Sequence, residues 1–209
     1  MTEKNLLKTG TTTLALKFKN GVLLAADKRA TAGYTIVQKD VEKVHLIKEK
    51  IGLTIAGSVS EIQNMIKLLK AQIKLKELET RRKIIVEEAA GLLSNMTYNT
   101  LRTTGGIAHF IIGGIDSTGE KIYDVFPDGS LSEVKDFFTS GSGSSYVLGV
   151  LESNYKENLE EKEAVELAEK ALKAALERDI GSGNGYKIII IPKEGEAKII
   201  DKKLEKNFS

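Results

Sequence analysis

The sequence predicts an α+β fold in which two antiparallel sheets pack face to face and pairs of helices cover their outer sides. Three observations point there. Strand-like and helix-like segments come in blocks: strands, two helices, strands, two more helices, closing strands. The helical segments carry apolar stripes along one side, so each needs a surface to cover it. Several strand-like runs are joined by tight turns, which suit antiparallel neighbours and cannot join parallel ones.

Thr11 to Phe18 alternates between faces, Asn20-Gly21 supplies a hairpin turn, and Val22 to Asp27 returns as an apolar strand. Tyr34 to Val37, Val44 to Ile47 and Leu53 to Ala56 read as further short strands. Ile62, Met65, Ile66, Leu69 and Ile73 then recur at helical spacing with lysines opposite, and Ser58 or Ser60 is placed to cap the start. Ile85, Ala89, Leu92, Leu93 and Met96 make a second stripe. Strands resume at Ile107 to Ile115 and Lys121 to Phe126, and Pro127-Asp128-Gly129 turns the chain. Tyr146 to Leu151 and Glu161 to Leu176 read as helices, the latter with Val165, Ala168, Leu172 and Ala175 on one side. Tyr186 to Ile191 and Ala197 to Ile200 close the chain as strands.

Composition narrows the function classes. The 209 residues suffice for one domain with a substantial core, and no change in composition asks for two. A net charge of +2, with both signs interspersed, marks no nucleic-acid-binding face. The absence of cysteine removes disulfides and cysteine-based zinc sites and favours an intracellular home. Abundant Lys and Glu without Cys or Trp matches a pattern seen in thermophile proteins. No run approaches the roughly 18 apolar residues of a membrane span. The opening MTEKNLLKTG lacks the apolar stretch of a secretory signal. It reads either as a frayed terminus or as a removable leader.

The second reading carries chemistry. Cutting after Gly10 in Gly10-Thr11-Thr12-Thr13 would leave a threonine as the first residue. Its hydroxyl is a nucleophile, and its free α-amine, with an ordinary pKa of about 7.7–8.0, can take the proton. No cysteine or histidine is then required, which suits a chain whose histidines are His45 and His109 alone. Other candidates are ambiguous one by one. Asp27 could simply end a strand, and Lys43, before another strand, is of a type more often solvated than catalytic. Gly57 could permit a sharp turn or present a backbone N–H to an oxyanion. Gly141-Ser142-Gly143-Ser144 and Gly181-Ser182-Gly183-Asn184-Gly185 lack the lysine of a phosphate-binding loop, and the second precedes a strand.

Taken together and in order, these pieces resemble a proteasome β subunit of the archaeal type over essentially all of the chain after Gly10. The carriers are Gly10-Thr11-Thr12-Thr13, the run Gly21 to Thr31 containing Asp27 and Arg29, Lys43, Ala56-Gly57, Gly141 to Ser144, and Asp179 with Ser182 to Gly185. The resemblance implies the four-layer αββα sandwich of the N-terminal nucleophile hydrolases and a threonine endopeptidase without cofactor or metal. It implies a propeptide, residues 1–10, removed by attack of the Thr11 hydroxyl on the Gly10 carbonyl, and one catalytic domain over 11–209. Until that cut the Thr11 nitrogen is a planar amide and cannot act as a base.

Roles follow from the same resemblance. Thr11 is the nucleophile; Asp27 holds Lys43, whose charge helps activate it; Asp179, Ser142 and Ser182 support the terminal amine. The Gly57 N–H is the oxyanion donor, and Arg29 is a structural partner. The backbones of Thr31 and Gly57 pair with an extended peptide. Ala30, Val41, Ile55 and Val59 line an apolar, uncharged pocket, so cleavage after hydrophobic residues is expected. The implied setting is cytoplasmic: a seven-membered β ring stacked against a ring of α subunits, with unfolded protein substrates fed by a regulatory ATPase unfoldase. Rival readings are a non-catalytic assembly subunit, the bacterial two-component threonine protease and a nucleotide-binding module. Retention of Thr11, Asp27 and Lys43 counts against the first of these. The ten-residue leader with Ser142, Asp179 and Ser182 counts against the second.

Overall fold

The computed structural model describes residues 10–57 and 59–204, with backbone alone over 59–62. Leader residues 1–9 and Ser58 therefore lie outside the described residues, as do the side chains of Val59, Ser60 and Ile62. Strands β1 (Thr12–Phe18) and β2 (Gly21–Asp27) pair as a hairpin closed by Lys19 and Asn20. The turn thus sits one residue earlier than the Asn20-Gly21 signal. Asn20 takes the left-handed conformation (φ 61°), while Gly21 opens the strand because a Cβ there would run into the Phe18 ring.

Next come β3 (Ala30–Ala32), β4 (Thr35–Gln38), β5 (Val44–Lys48) and β6 (Ile51–Gly57), then helices α1 (Val59–Thr80) and α2 (Val86–Thr104). Since α1 starts at Val59, Ser60 falls inside the helix and cannot cap it. Strands β7 (Ala108–Asp116), β8 (Gly119–Val125), β9 (Leu131–Val134) and β10 (Phe137–Gly141) lead into α3 (Ser144–Asn154) and α4 (Glu161–Arg178). The chain closes with β11 (Gly185–Pro192) and β12 (Lys198–Lys203). One sheet has the order β10-β1-β2-β11-β12 and the other β5-β6-β7-β8-β9, every pairing antiparallel; β3 and β4 form a separate ribbon.

Three apolar layers make this the α+β sandwich that the pattern of elements predicts. Leu14, Leu16, Leu23 and Ile188 meet α3 and α4 on one side of the first sheet. Ala15, Val22, Leu24 and Ile189 alternate with them and meet Ile111 and Ile122 of the second sheet. Leu53, Phe110 and Ile112 then pack under Leu69, Ile73, Ala89 and Leu93 of α1 and α2. Helix α4 lies close against its sheet because Ala164, Ala168, Ala171 and Ala175 form its buried side. Val165, read from the sequence as part of that side, is only half-buried.

β3, β9 and β10 are additions to the sequence reading. Each is short and lacks clean alternation; β10, with the sequence Phe-Phe-Thr-Ser-Gly, becomes a strand by pairing with β1. That pairing sets Thr12 opposite Gly141 and Thr13 opposite Ser140, and so delivers Ser142 beside Thr11. No helix among the described residues is long and apolar enough to cross a membrane.

Candidate active site

Thr11 stands immediately before β1, at the edge of a cleft, and is 3% exposed. Its hydroxyl donates to the Gly10 carbonyl oxygen at 2.7 Å. Lys43, just ahead of β5, sends its Nζ to the same oxygen at 3.2 Å. Hydroxyl and ammonium thus meet at one carbonyl, and both residues are buried.

Asp27, the last residue of β2, organises the floor. Its Oδ1 accepts from Lys43 Nζ at 2.7 Å and from the Thr12 N–H at 3.0 Å. Its Oδ2 accepts from the N–H groups of Arg29 (2.9 Å) and Gly183 (3.0 Å). Burial pushes the Asp27 carboxyl up and the Lys43 ammonium down from their ordinary values, and their mutual attraction opposes both shifts. The three backbone donors on the carboxylate favour its ionised form further.

A second network lies on the Thr11 nitrogen. Thr11 N–H donates to Ser142 Oγ at 3.2 Å, and the Ser142 hydroxyl donates to Asp179 Oδ2 at 2.6 Å. Ser182 donates to the same oxygen at 2.6 Å. Having spent its only proton there, Ser182 Oγ accepts from Thr12 Oγ1 at 2.7 Å. Asp179 caps the end of α4, so helix α4, strand β1 and the segment after β10 converge on one carboxylate. Arg29 braces the loop that follows: Nε donates to Asn184 Oδ1 (2.9 Å) and Nη1 to the Ile180 carbonyl (3.0 Å).

Gly57 ends β6 with φ 147°, a conformation that favours glycine, and a Cβ there would come within 2.6 Å of the Ile107 carbonyl oxygen. It lines a cleft together with Thr11, Val41, Ile55 and Ile66. The expectation of an uncharged pocket needs correction, because Asp40, Glu42, Lys43 and His45 also line it. The reason is alternation along residues 40–42: Val41 turns inward, while its neighbours turn toward lysines of the first sheet and its flanks. Asp40 pairs with Lys28 at 2.9 Å and Lys203 at 2.6 Å, and Glu42 pairs with Lys187. Ala30 and Thr31 do not line this cleft; the Thr31 hydroxyl accepts the Gly10 N–H at 2.9 Å. The Val59 side chain lies outside the described residues. Among the described residues no group of three or more His, Asp or Glu side chains is arranged to hold a metal ion.

The sequence reading missed Thr12, whose hydroxyl closes the second network, and the buried Lys28, which pins Asp40 and Asp201. A lysine directly after an apolar strand gives no signal that it will be covered.

The family description "Proteasome subunit" matches residues 7–191. The chain belongs to the proteasome subunit family. Proteasome subunit beta of Methanocorpusculum labreanum is 42% identical over 188 residues, covering 90% of this chain and 88% of the relative. The proteins of the same name from Haloferax volcanii (41% over 202 residues; 96% and 79% covered) and Methanocaldococcus fervens (41% over 198; 94% and 88%) are similar. Proteasome membership makes this chain a β-type subunit that assembles with other subunits and, in general terms, serves peptide hydrolysis.

Proposed function

We propose that this subunit is a threonine endopeptidase that activates itself by removing residues 1–10. The observation that carries the reading is the meeting of the Thr11 hydroxyl and the Lys43 ammonium on the Gly10 carbonyl oxygen. Lys43 draws electron density toward that oxygen and makes the carbonyl carbon electrophilic. Thr11 Oγ adds to the carbon and gives up its proton. The C–N bond then breaks, the nitrogen takes a proton, and an ester joins Gly10 to Thr11 Oγ. Water hydrolyses the ester, releasing residues 1–10 with a terminal carboxylate and leaving Thr11 with a free hydroxyl and amine.

The same atoms then serve external peptides. The nitrogen that donated to Ser142 is now an amine whose lone pair accepts the Thr11 proton, directly or through water. The nearby positive charge of Lys43 lowers the affinity of that amine for a second proton and stabilises an alkoxide. Ser142, fixed by Asp179 with Ser182, holds the amine in place. A substrate carbonyl takes the position of the Gly10 carbonyl, with the Gly57 N–H as oxyanion donor, and an ester intermediate forms and is hydrolysed as before. Extended substrate pairs with the backbones of Thr31 and Gly57.

Val41, Ile55 and Ile66 supply apolar wall beside Thr11, with Val59 proposed to extend it, so cleavage after hydrophobic residues is favoured. The subunit works in the cytoplasm, in a seven-membered β ring capped by α subunits, on unfolded chains delivered by an ATPase unfoldase. The test is Thr11→Ala: intact mass shows residues 1–10 retained and peptide hydrolysis is abolished. Normal loss of the leader in that variant refutes self-processing. Faster cleavage after acidic or basic residues than after hydrophobic ones, in a fluorogenic panel, refutes the preference.

A further inference from the structure

Gly10 and Gly181 touch backbone to backbone. A Cβ built on Gly10 would overlap the Gly181 Cα and lie 2.7 Å from its carbonyl carbon and oxygen. A Cβ built on Gly181 would overlap the Gly10 Cα in turn and lie 3.3 Å from the Gly10 carbonyl carbon. Carbon atoms rest at about 3.5–4.0 Å, so neither residue accepts a side chain while the other stays in place. Gly181 does not adopt a positive φ, so the requirement there is for space and not for backbone freedom.

Both partners are tethered. Gly10 is held by the Thr31 hydroxyl on its N–H and by Lys43 and Thr11 on its oxygen. The Gly181 loop is held by Asp179 Oδ1 on the Gly181 N–H (3.3 Å) and by Arg29 on Ile180 and Asn184. A side chain wedged between them has to displace the carbonyl that Thr11 attacks.

We propose that Gly181 is a positioning residue for leader removal, seating the Gly10 carbonyl against Thr11 and Lys43, and that it is dispensable once the leader has gone. This rests on the self-cleavage reading above. When residues 1–10 leave, the opposing backbone leaves with them. With Gly10 gone, Ser142 Oγ, at 3.0 Å, is among the described residues the one atom within 3.3 Å of an alanine Cβ at 181, and a shift of a few tenths of an ångström relieves that contact. The contact therefore separates two reactions that use the same nucleophile.

The test follows leader loss by intact mass in the full chain carrying Gly181→Ala, beside peptide hydrolysis by the same variant produced with Thr11 as its first residue. Displacement of a reacting carbonyl by about 1 Å slows a reaction about 100-fold, and a loss of that order is expected for leader removal. The Thr11-first variant should hydrolyse peptides within about threefold of its unsubstituted counterpart, since the substitution moves Ser142 Oγ by only a few tenths of an ångström. Gly10→Ala creates the same clash from a residue that the finished subunit lacks, so it tests the contact without touching the final fold; it too should retain the leader. Wild-type processing by either variant overturns the proposal. Loss of peptide hydrolysis in Thr11-first Gly181→Ala also overturns it, because Gly181 would then serve both reactions. Normal leader loss in full-length Thr11→Ala instead brings down the self-cleavage reading itself.

Discussion

Exchanging Asp27 for asparagine keeps the shape of the side chain and removes its charge, at a position where only acceptors fit. Asp27 is 1% exposed and receives four donors, two on each oxygen: Lys43 Nζ and Thr12 N–H on Oδ1, Arg29 N–H and Gly183 N–H on Oδ2. An asparagine turned either way directs its NH₂ at two of them. Hydrogen bonds to a charged group are worth about 1.5–3 kcal/mol each, so losing two costs about 3–6 kcal/mol. The independent figure for breaking a buried ion pair from one side, about 3–5 kcal/mol, agrees. For a domain of this size each kcal/mol lowers Tm by about 2–4 °C, so Asp27→Asn should fall by about 6 °C or more in calorimetry of the full chain at pH 7. Lys43→Met breaks the same buried pair from the other side, leaving the carboxylate without its cation, and should fall by a comparable amount. A Tm change below about 2 °C for either variant refutes the claim that Lys43 and the backbone donors together hold this buried carboxylate.

Removing the Ser182 hydroxyl strips a partner from both Thr12 Oγ1 and Asp179 in a fully buried setting; Ser182→Ala should lose about 1–3 kcal/mol, read from urea midpoints. Glu88 is drawn from its ordinary 4.5 down to about 2, first by Arg82, with the Ile85 N–H and Lys76 adding to the effect. Its contribution is complete above pH 4.5 and is lost as pH falls toward 2, because the unfolded chain binds the proton first. Glu88→Gln should therefore flatten the decline of stability with acid over that interval, as followed by circular dichroism. Lys28 anchors Asp40 at the cleft edge from a buried position. If the subunit is the peptidase proposed, Lys28→Met should raise KM about fivefold with kcat nearly unchanged, equivalent to about 1 kcal/mol of lost wall ordering. A fall in kcat alone would count against this role.

Much of the architecture was legible because it is written in near neighbours. Alternation in Thr11 to Phe18 and Val22 to Asp27, helical stripes ending at Ile73 and Met96, and blocks of like elements each depend on residues a few positions apart. Those signals specify the elements and the two-sheet layering, and they place a threonine, an aspartate and a lysine at strand ends. The candidate site needed contacts of another kind. Ser142 reaches the Thr11 nitrogen across 131 positions, Ser182 reaches Thr12 across 170, and Gly183 reaches Asp27 across 156.

Those meetings hang on the pairing of β10 with β1 and of β11 with β2, and the first involves a strand too short and irregular to be read from its own residues. The charges in the cleft wall were hidden for a related reason. Composition reports that Asp40 and Glu42 flank Val41, but only the folded sheet brings Lys28, Lys187 and Lys203 around to meet them. By itself, then, the sequence determined the longer strands and helices and, for most of them, which side is apolar, since periodicity is a local property. Tertiary structure decided which polar groups share an atom, since hydrogen bonds and ion pairs require their partners within about 3 Å whatever their distance along the chain.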